Sequence, residues 1–329
     1  MTGIPRCLIG LVVLLACTAA CGGGAPGGSA SPVRRLSIAT GGTGGVFYPY
    51  GGGLAQILTT HLRGVEATAE ATGASVDNLK FLQQGTSDLG FSMADAAQDA
   101  LSGTDVFASS GQVPVRALAV VFPNYMHLVT REGSGIRRAS DLRGRVVSLG
   151  APGGGGSVQA ERMLRAVGLD PMRDVRAQYL GVAQAADALK DGKLDAFFWS
   201  GGLPTASVLD LAHTPGLTLA LLPLDDLVAP LQQRHGTAVY YPTVIPKETY
   251  GTMADVPVVA VANMLVTTAA FDEALAYDIT RTLFEQQPAL AAIHPQARTL
   301  ALDRALTGAT VPFHPGAIRY YREKGIWRD

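Results

Sequence analysis

The positions in this sequence best suited to gripping another molecule are those with no side chain. Residues 38–54 read IATGGTGGVFYPYGGGL, an apolar run that ends in two glycine clusters with Phe47, Tyr48, Pro49 and Tyr50 between them. Glycine lets a backbone turn sharply or come close to another group. A glycine loop leading from a strand into a helix also presents unpaired N–H groups and the positive end of the helix dipole, which together receive a carboxylate or similar anion. GGGGS at 153–157 repeats the pattern, lying between a strand-length run and an amphipathic helix rather than between domains. For both loops a tight strand-to-helix turn, and nothing more, is the alternative.

Other chemistries find less support. Gly42-x-Gly44 is followed by Phe47 where a dinucleotide fingerprint needs its third glycine, and Gly192-Lys193 is followed by Leu194 where a P-loop needs Ser or Thr. His61, His127, His213, His235, His294 and His314 have no metal-ligand spacing. The chain carries no Gly-x-Ser-x-Gly elbow. After Cys21 it has no cysteine, which removes disulfides, thiol nucleophiles and thiolate metal sites from the folded body. Asp187, Asp191 and Asp195 read as solvated helix-end acids, and Arg34 and Arg35 as a solvated strand start. Phe198 reads as core, while Trp199 is either core or a ligand wall. No catalytic residue, metal or cofactor is expected.

The elements that must carry the glycine loops alternate between strand and helix. RLSIAT, VEATAEAT, DLGFSM and VRALAVVF read as strands. Leu54, Ile57, Leu58 and Leu62 mark one helical face after the first, and Val76, Leu79 and Leu82 another after the second. A second round begins near Tyr125 with MHLVT, RVVSLG and VRAQYL. Its helices carry Ala160, Met163, Leu164 and Val167 on one face, then Val182, Ala185, Ala186 and Leu189, before LDAFFWSGGLP. This order predicts an α/β chain with mostly parallel sheets in two lobes and a cleft between them. Lobe I is expected to comprise residues 33–125 and 258–329, and lobe II residues 126–257. In open α/β sheets ligands sit at the carboxyl ends of parallel strands. The loops at 41–48, 92–95, 153–157 and 200–202 should therefore converge.

Residues 1–21 have the form of an export signal: Arg6, a short apolar core and small residues before cysteine. LLAC, ending at Cys17, and TAAC, ending at Cys21, each resemble a bacterial lipobox, so either cysteine is a candidate for lipidation. An ordinary cleaved signal is the alternative. Residues 22–32 are Gly, Ser, Ala and Pro and read as a flexible linker. The 329 residues carry a formal net charge of -1 with no basic run, which argues against nucleic acid as a partner.

Five stretches, TGGTGGVFYPYGGGLA, GASVDNLKFLQQGTSDLGFSMADAAQDAL, DLRGRVVSLGAPGGGGSVQAERML, LDAFFWSGGLP and HPGAIRYYREKG, resemble the TAXI family of solute receptors. These are the TRAP-transporter-associated extracytoplasmic immunogenic proteins, and the likeness runs over residues 34–326. It implies a type II periplasmic-binding-protein fold that closes on a small solute. It also implies a receptor outside the cytoplasm, periplasmic or lipid-anchored to the outer face of the cell membrane, that delivers its solute to TRAP membrane permease subunits. Characterised relatives bind acidic amino acids such as glutamate, or small dicarboxylates. By position, the resemblance makes Gly44, Gly45, Phe47, Tyr48, Ser92, Asp95, Gly153, Gly154, Gly155, Gly156, Ser157 and Gly201 ligand-facing candidates, beside Trp199. This chain departs from the family at Met93, where relatives often have Gln, and at Gly154 and Gly156, where they have hydroxyl residues. Backbone N–H groups would have to supply more of the recognition. An enzyme on the same fold and a lipoprotein signalling to a membrane sensor kinase are the alternative functions.

Overall fold

The computed structural model describes residues 33–328; the export signal, Cys17, Cys21 and the linker lie outside the described residues. The first half runs β1 (Arg34–Ala39), α1 (Phe47–His61), β2 (Val65–Glu70), α2 (Ser75–Gln84), β3 (Leu89–Met93), α3 (Ala94–Ser102) and β4 (Val115–Arg131). Next come β5 (Val146–Ser148), α4 (Gly155–Ala166), β6 (Arg176–Gln178), α5 (Val182–Lys190), β7 (Ala196–Gly201) and α6 (Ala206–Ala212). β8 (Leu219–Leu221), α7 (Val228–His235), β9 (Tyr240–Ile245), α8 (Lys247–Tyr250) and β10 (Val256–Thr268) follow. The chain finishes with α9 (Glu273–Glu285), α10 (Gln287–Ile293) and α11 (Pro315–Glu323).

The strands hydrogen-bond in the order β2-β1-β3-β10-β4-β7-β5-β6, with β8 on β4 and β9 on β10. β1, β2 and β3 are parallel neighbours, as are β5, β6 and β7. Each parallel trio with its helices forms one lobe of a two-lobed α/β fold. The two long strands between them run antiparallel to their neighbours, which corrects the expectation of mostly parallel sheets. VRALAVVF and MHLVT are likewise a single 17-residue strand and not two. Pro123 lacks an N–H, yet residues 122–125 stay extended because β10 pairs with them on one side.

β4 and β10 each serve both lobes. In β4, residues 115–125 pair with β10, with Phe313 bridging Ala117 on the other edge, and residues 125–130 pair with β7. In β10, residues 256–261 pair with β9 and residues 263–266 with β3. The chain after β10 packs on the first lobe: the Tyr321 hydroxyl donates to Leu118 O at 2.6 Å, and Phe313 bridges to Ala117.

The helical faces read from the sequence are the buried ones. Leu54, Ile57, Leu58 and Leu62 of the first helix, and Val182, Ala185, Ala186 and Leu189 of α5, are all buried. Gly51 and Gly53 of the second glycine cluster serve this packing, while Gly52 between them is exposed. A Cβ at Gly51 would lie 2.4 Å from Thr40 Cγ2, and one at Gly53 2.6 Å from Ile293 Cδ1. Side chains there would push α1 off β1 and α10.

Candidate functional site

A cavity of about 320 Å³ opens where the two lobes face each other. Its walls come from the loop after β1 (Gly41–Phe47), the loop before α2 (Gly73–Ser75), Met93, Asn124, the loop after β5, the start of α5, and Phe198–Gly201. Five helices begin at this wall. Val46, Ala74, Met93, Gly154 and Gly181, the residues immediately preceding α1, α2, α3, α4 and α5, all line it. At α1, α2, α4 and α5 no side-chain oxygen takes an N–H of the first turn, although the cap N–H groups of α2 and α5 donate to Thr72 Oγ1 at 3.0 Å and Gln184 Oε1 at 3.3 Å. At α3 the Asp95 Oδ1 accepts from Ala96 N at 2.9 Å. Helix starts normally carry such a cap, because the first-turn N–H groups have no partner within the helix. The starts of α1, α4 and α5 bring such donors and positive dipole ends to the cavity wall, whereas Asp77 N of α2 and Ala96 N of α3 are taken by Gly153 O and Asp95 Oδ1.

Among the described residues that line the cavity there is no Asp, Glu, Lys, Arg or His. Asp77 and Asp95, in the first turns of α2 and α3, offset two of the helix ends from behind the wall, so α1, α4 and α5 carry the positive field toward the cavity. Local sequence explains the bare caps. At α4, glycines supply the cap and the first two helical positions, 154–156, and Gly153 just before them sits at φ +73°. At α2 the cap is Ala74 at φ +91°, a backbone conformation that an L-residue rarely adopts.

The apolar part of the wall is aromatic. Phe47 packs on Phe91 with centroids 5.3 Å apart and on Phe122 at 6.0 Å. The Trp199 indole donates Nε1–H to Thr205 Oγ1 at 2.8 Å, which fixes the ring. That ring lies over Gly201, where a Cβ would come 2.4 Å from Nε1, and against Gly45 of the opposite lobe, where a Cβ would stand 3.0 Å from the ring edge. Gly44 approaches the second lobe in the same way, 2.7 Å from Ser207 Oγ for a built Cβ.

Of the candidates named from sequence, the structure brings Gly44, Gly45, Phe47, Gly154, Gly156, Trp199 and Gly201 to one wall. It places the others elsewhere. Tyr48, in the first turn of α1, is exposed at 38% and lies off the wall. Ser92 is fully buried, with its hydroxyl donating to Met93 O at 3.0 Å. Gly153 is held at Asp77, whose carboxylate would sit 2.2 Å from a built Cβ. Gly155 packs beneath Met93 Cε and Ser75, and the Ser157 hydroxyl donates to Gly154 O at 2.7 Å.

Asp95 belongs to a buried polar cluster behind the cavity. Its Oδ2 accepts from Gln159 Nε2 and from the Tyr240 hydroxyl, each at 2.8 Å. Arg162, 5% exposed, donates to Tyr240 at 3.0 Å, to Asp99 at 2.5 Å and to Asp105 at 2.7 Å. The three aspartates come from α3 and the segment after it, and their partners from α4 and β9, so these bonds tie the lobes together. Burial pushes the Asp99 carboxyl up to about 6, against the opposing pull of Arg162.

Sequence reading missed Ser75, Asn124 and Gln184, and it placed Met93 and Ser200 only within loops expected to converge. Ser75 Oγ accepts from Met93 N at 3.1 Å, and the Ser200 hydroxyl donates to Met93 Sδ at 3.2 Å. Ser200 Oγ in turn accepts from Asn124 Nδ2 at 3.4 Å. Asn124 is 2% exposed, and its Oδ1 has no partner among the described residues. The one available signal was an asparagine inside the apolar strand around Pro123.

Solved structures similar to this one include the periplasmic aliphatic sulphonate binding protein SsuA from Escherichia coli. It is 18% identical with a TM-score of 0.48, the match covering 89% of this chain and 84% of that one. Another is a putative L-cystine ABC transporter protein from Listeria monocytogenes, at 12% identity and a TM-score of 0.48, over 79% of this chain and 94% of that one. The model of the NMT1-like family matches residues 38–325, nearly the whole of the described body. The chain belongs to the NMT1-like family.

Proposed function

We propose that this protein is the extracytoplasmic solute receptor of a TRAP-type transporter, of the TAXI kind, and that its solute is a small carboxylate anion. The observation that carries this reading is the wall of helix starts, three of which (α1, α4 and α5) have neither a side-chain bond to a first-turn N–H nor a first-turn acid, around a cavity with no acidic side chain in its lining. Such a wall offers an anion both hydrogen-bond donors and favourable field. A cavity near 320 Å³ lies at the small end of ligand sites, which suits a metabolite of a few carbons. Gly44, Gly45, Phe47, Gly154, Gly156, Trp199 and Gly201 are the proposed contacts. Lobe I consists of residues 33–125 and 258–329 and lobe II of 126–257, anchored outside the cytoplasm through Cys17 or Cys21.

Capture needs no chemistry. Solute enters with the lobes apart, and β4 and β10 flex where they exchange partners. Closure then completes the donor set, because α1 to α3 begin in one lobe and α4 and α5 in the other. The bonds that span the lobes belong to this closed form: Asp77 N to Gly153 O at 3.0 Å, Leu203 N to Gln296 Oε1 at 2.6 Å, and the Arg162 cluster. The closed receptor docks on its permease. Calorimetric titration with glutamate, 2-oxoglutarate, 2-hydroxyglutarate and C4-dicarboxylates tests the reading. Saturable heat with at least one of them is expected, and silence with every small carboxylate refutes it.

A further inference from the structure

Resting on the carboxylate reading above, we infer that the solute is a 2-hydroxy carboxylic acid and not an amino acid, with Asn124 as the residue that selects the hydroxyl. Two independent features of the same cavity lead there. The first is the balance of charge. An α-ammonium group in this space would face the positive ends of α1, α4 and α5, which have no first-turn acid, with no carboxylate in the cavity lining to neutralise it. Asp77 is the acid nearest the α2 end of the wall, but its carboxylate is held against Gly73 and Gly153 and does not line the cavity. Burying a cation without a counter-charge is strongly unfavourable. The solute's carboxylates are matched by the amides, and a positive group is not.

The second feature is an acceptor with nothing to accept. Asn124 sits in β4 where the strand passes between the lobes, lines the cavity, and is 2% exposed with Oδ1 unpartnered. Which end of the amide faces the cavity follows from its neighbours. Met93 Sδ has no hydrogen to give, so the 3.2 Å contact with it takes the Ser200 proton. Ser200 Oγ is then an acceptor toward Asn124, whose NH₂ points to it at 3.4 Å. The carbonyl oxygen remains for the solute. An unpaired buried acceptor is unfavourable, so a solute that supplies a neutral donor gains over one that does not. A hydroxyl beside a carboxylate supplies that donor without adding positive charge. A 2-oxo acid supplies none.

The test is a set of titrations of the purified protein with 2-hydroxyglutarate, 2-oxoglutarate, glutamate and malate. The hydroxy acid of the preferred length should bind about tenfold more tightly than its oxo counterpart, and more tightly still than glutamate. Asn124→Asp places a negative charge where the amide was, and should raise glutamate affinity while lowering that of the hydroxy acid. Asn124→Leu, close in volume and lacking the acceptor, should bring 2-hydroxyglutarate down to the level of 2-oxoglutarate, with folding checked by thermal melting. Wild-type affinity for glutamate equal to or above that for 2-hydroxyglutarate overturns the inference and leaves the carboxylate receptor standing. No binding of any acid overturns both.

Discussion

Replacing Asp99 with asparagine should make this protein gain stability relative to wild type as pH rises toward neutrality, although it removes one partner of a buried ion pair. Three carboxyl groups, from Asp95, Asp99 and Asp105, crowd one guanidinium, with Arg162 Nη2 at 2.5 Å from Asp99 and 2.7 Å from Asp105. Burial raises the Asp99 carboxyl from 3.8 to about 6, so the folded state holds its proton through a range in which the unfolded chain has lost it. The resulting stability is fully present below pH 3.8 and is lost as pH rises through about 6. The difference of about 2 units, at about 1.36 kcal/mol each, sets an upper limit of about 3 kcal/mol on that loss. Asparagine does not titrate, and its Oδ1 can still accept from Arg162. The stability of Asp99→Asn relative to wild type should therefore climb by roughly 1–3 kcal/mol between pH 4.5 and pH 7.5. Urea unfolding at four pH values measures it. A flat difference, or one that falls with pH, would show that Arg162 neutralises Asp99 in full and that burial is the lesser effect.

Arg162→Met should have the opposite sign, losing about 3–5 kcal/mol in the same assay because it strands buried carboxyl groups without their cation. Gly44→Leu should weaken solute binding by at least about tenfold with little change in the melting temperature of the free protein. Its side chain would meet Ser207 across the cleft only when the lobes close, and an unchanged affinity would mean that this approach is not part of the bound form. Trp199→Ala removes the ring that spans Gly45 and Gly201 and the bond to Thr205; it should reduce affinity by about tenfold or more, read by calorimetry. In the Trp327→Phe background the indole fluorescence of Trp199 should change on adding solute, and an unresponsive signal would place the ligand away from this wall.

How far the sequence reports the site depends on which group does the binding. Where the backbone acts, the signal was direct: glycine at 41–45 and 153–156 marks helix starts without caps, and those loops do meet at one cavity. The second cluster, 51–53, has the same composition but answers to Thr40 and Ile293, and only a three-dimensional neighbour separates the two uses. Strands were legible as apolar runs, yet their direction was not. Nothing in VRALAVVF or VANMLVTT states that β10 enters between β3 and β4, a pairing fixed by partners about 140 to 170 residues away.

Side chains were harder to place, and Asp95 and Asn124 show why. Asp95 begins a helix at the carboxyl end of a parallel strand, which is where a ligand contact belongs by position. The Gln159 amide and the Tyr240 hydroxyl reach it first, from the other lobe. Asn124 stands inside a strand and looks like a structural polar residue. It becomes a candidate site residue only because Ser200 and Met93 use up its amino end and leave its buried oxygen without a partner among the described residues. In both cases the role is set by hydrogen-bond saturation. A polar group whose valences are filled by protein holds the lobes together, and one with a valence to spare meets the solute. The Arg162 cluster and the amide-lined cavity lie on the same two helices, α3 and α4. Closing force and solute recognition are thus built at successive turns of one interface, so a change at Arg162 should alter how tightly the cavity shuts even though no atom of that residue lines it.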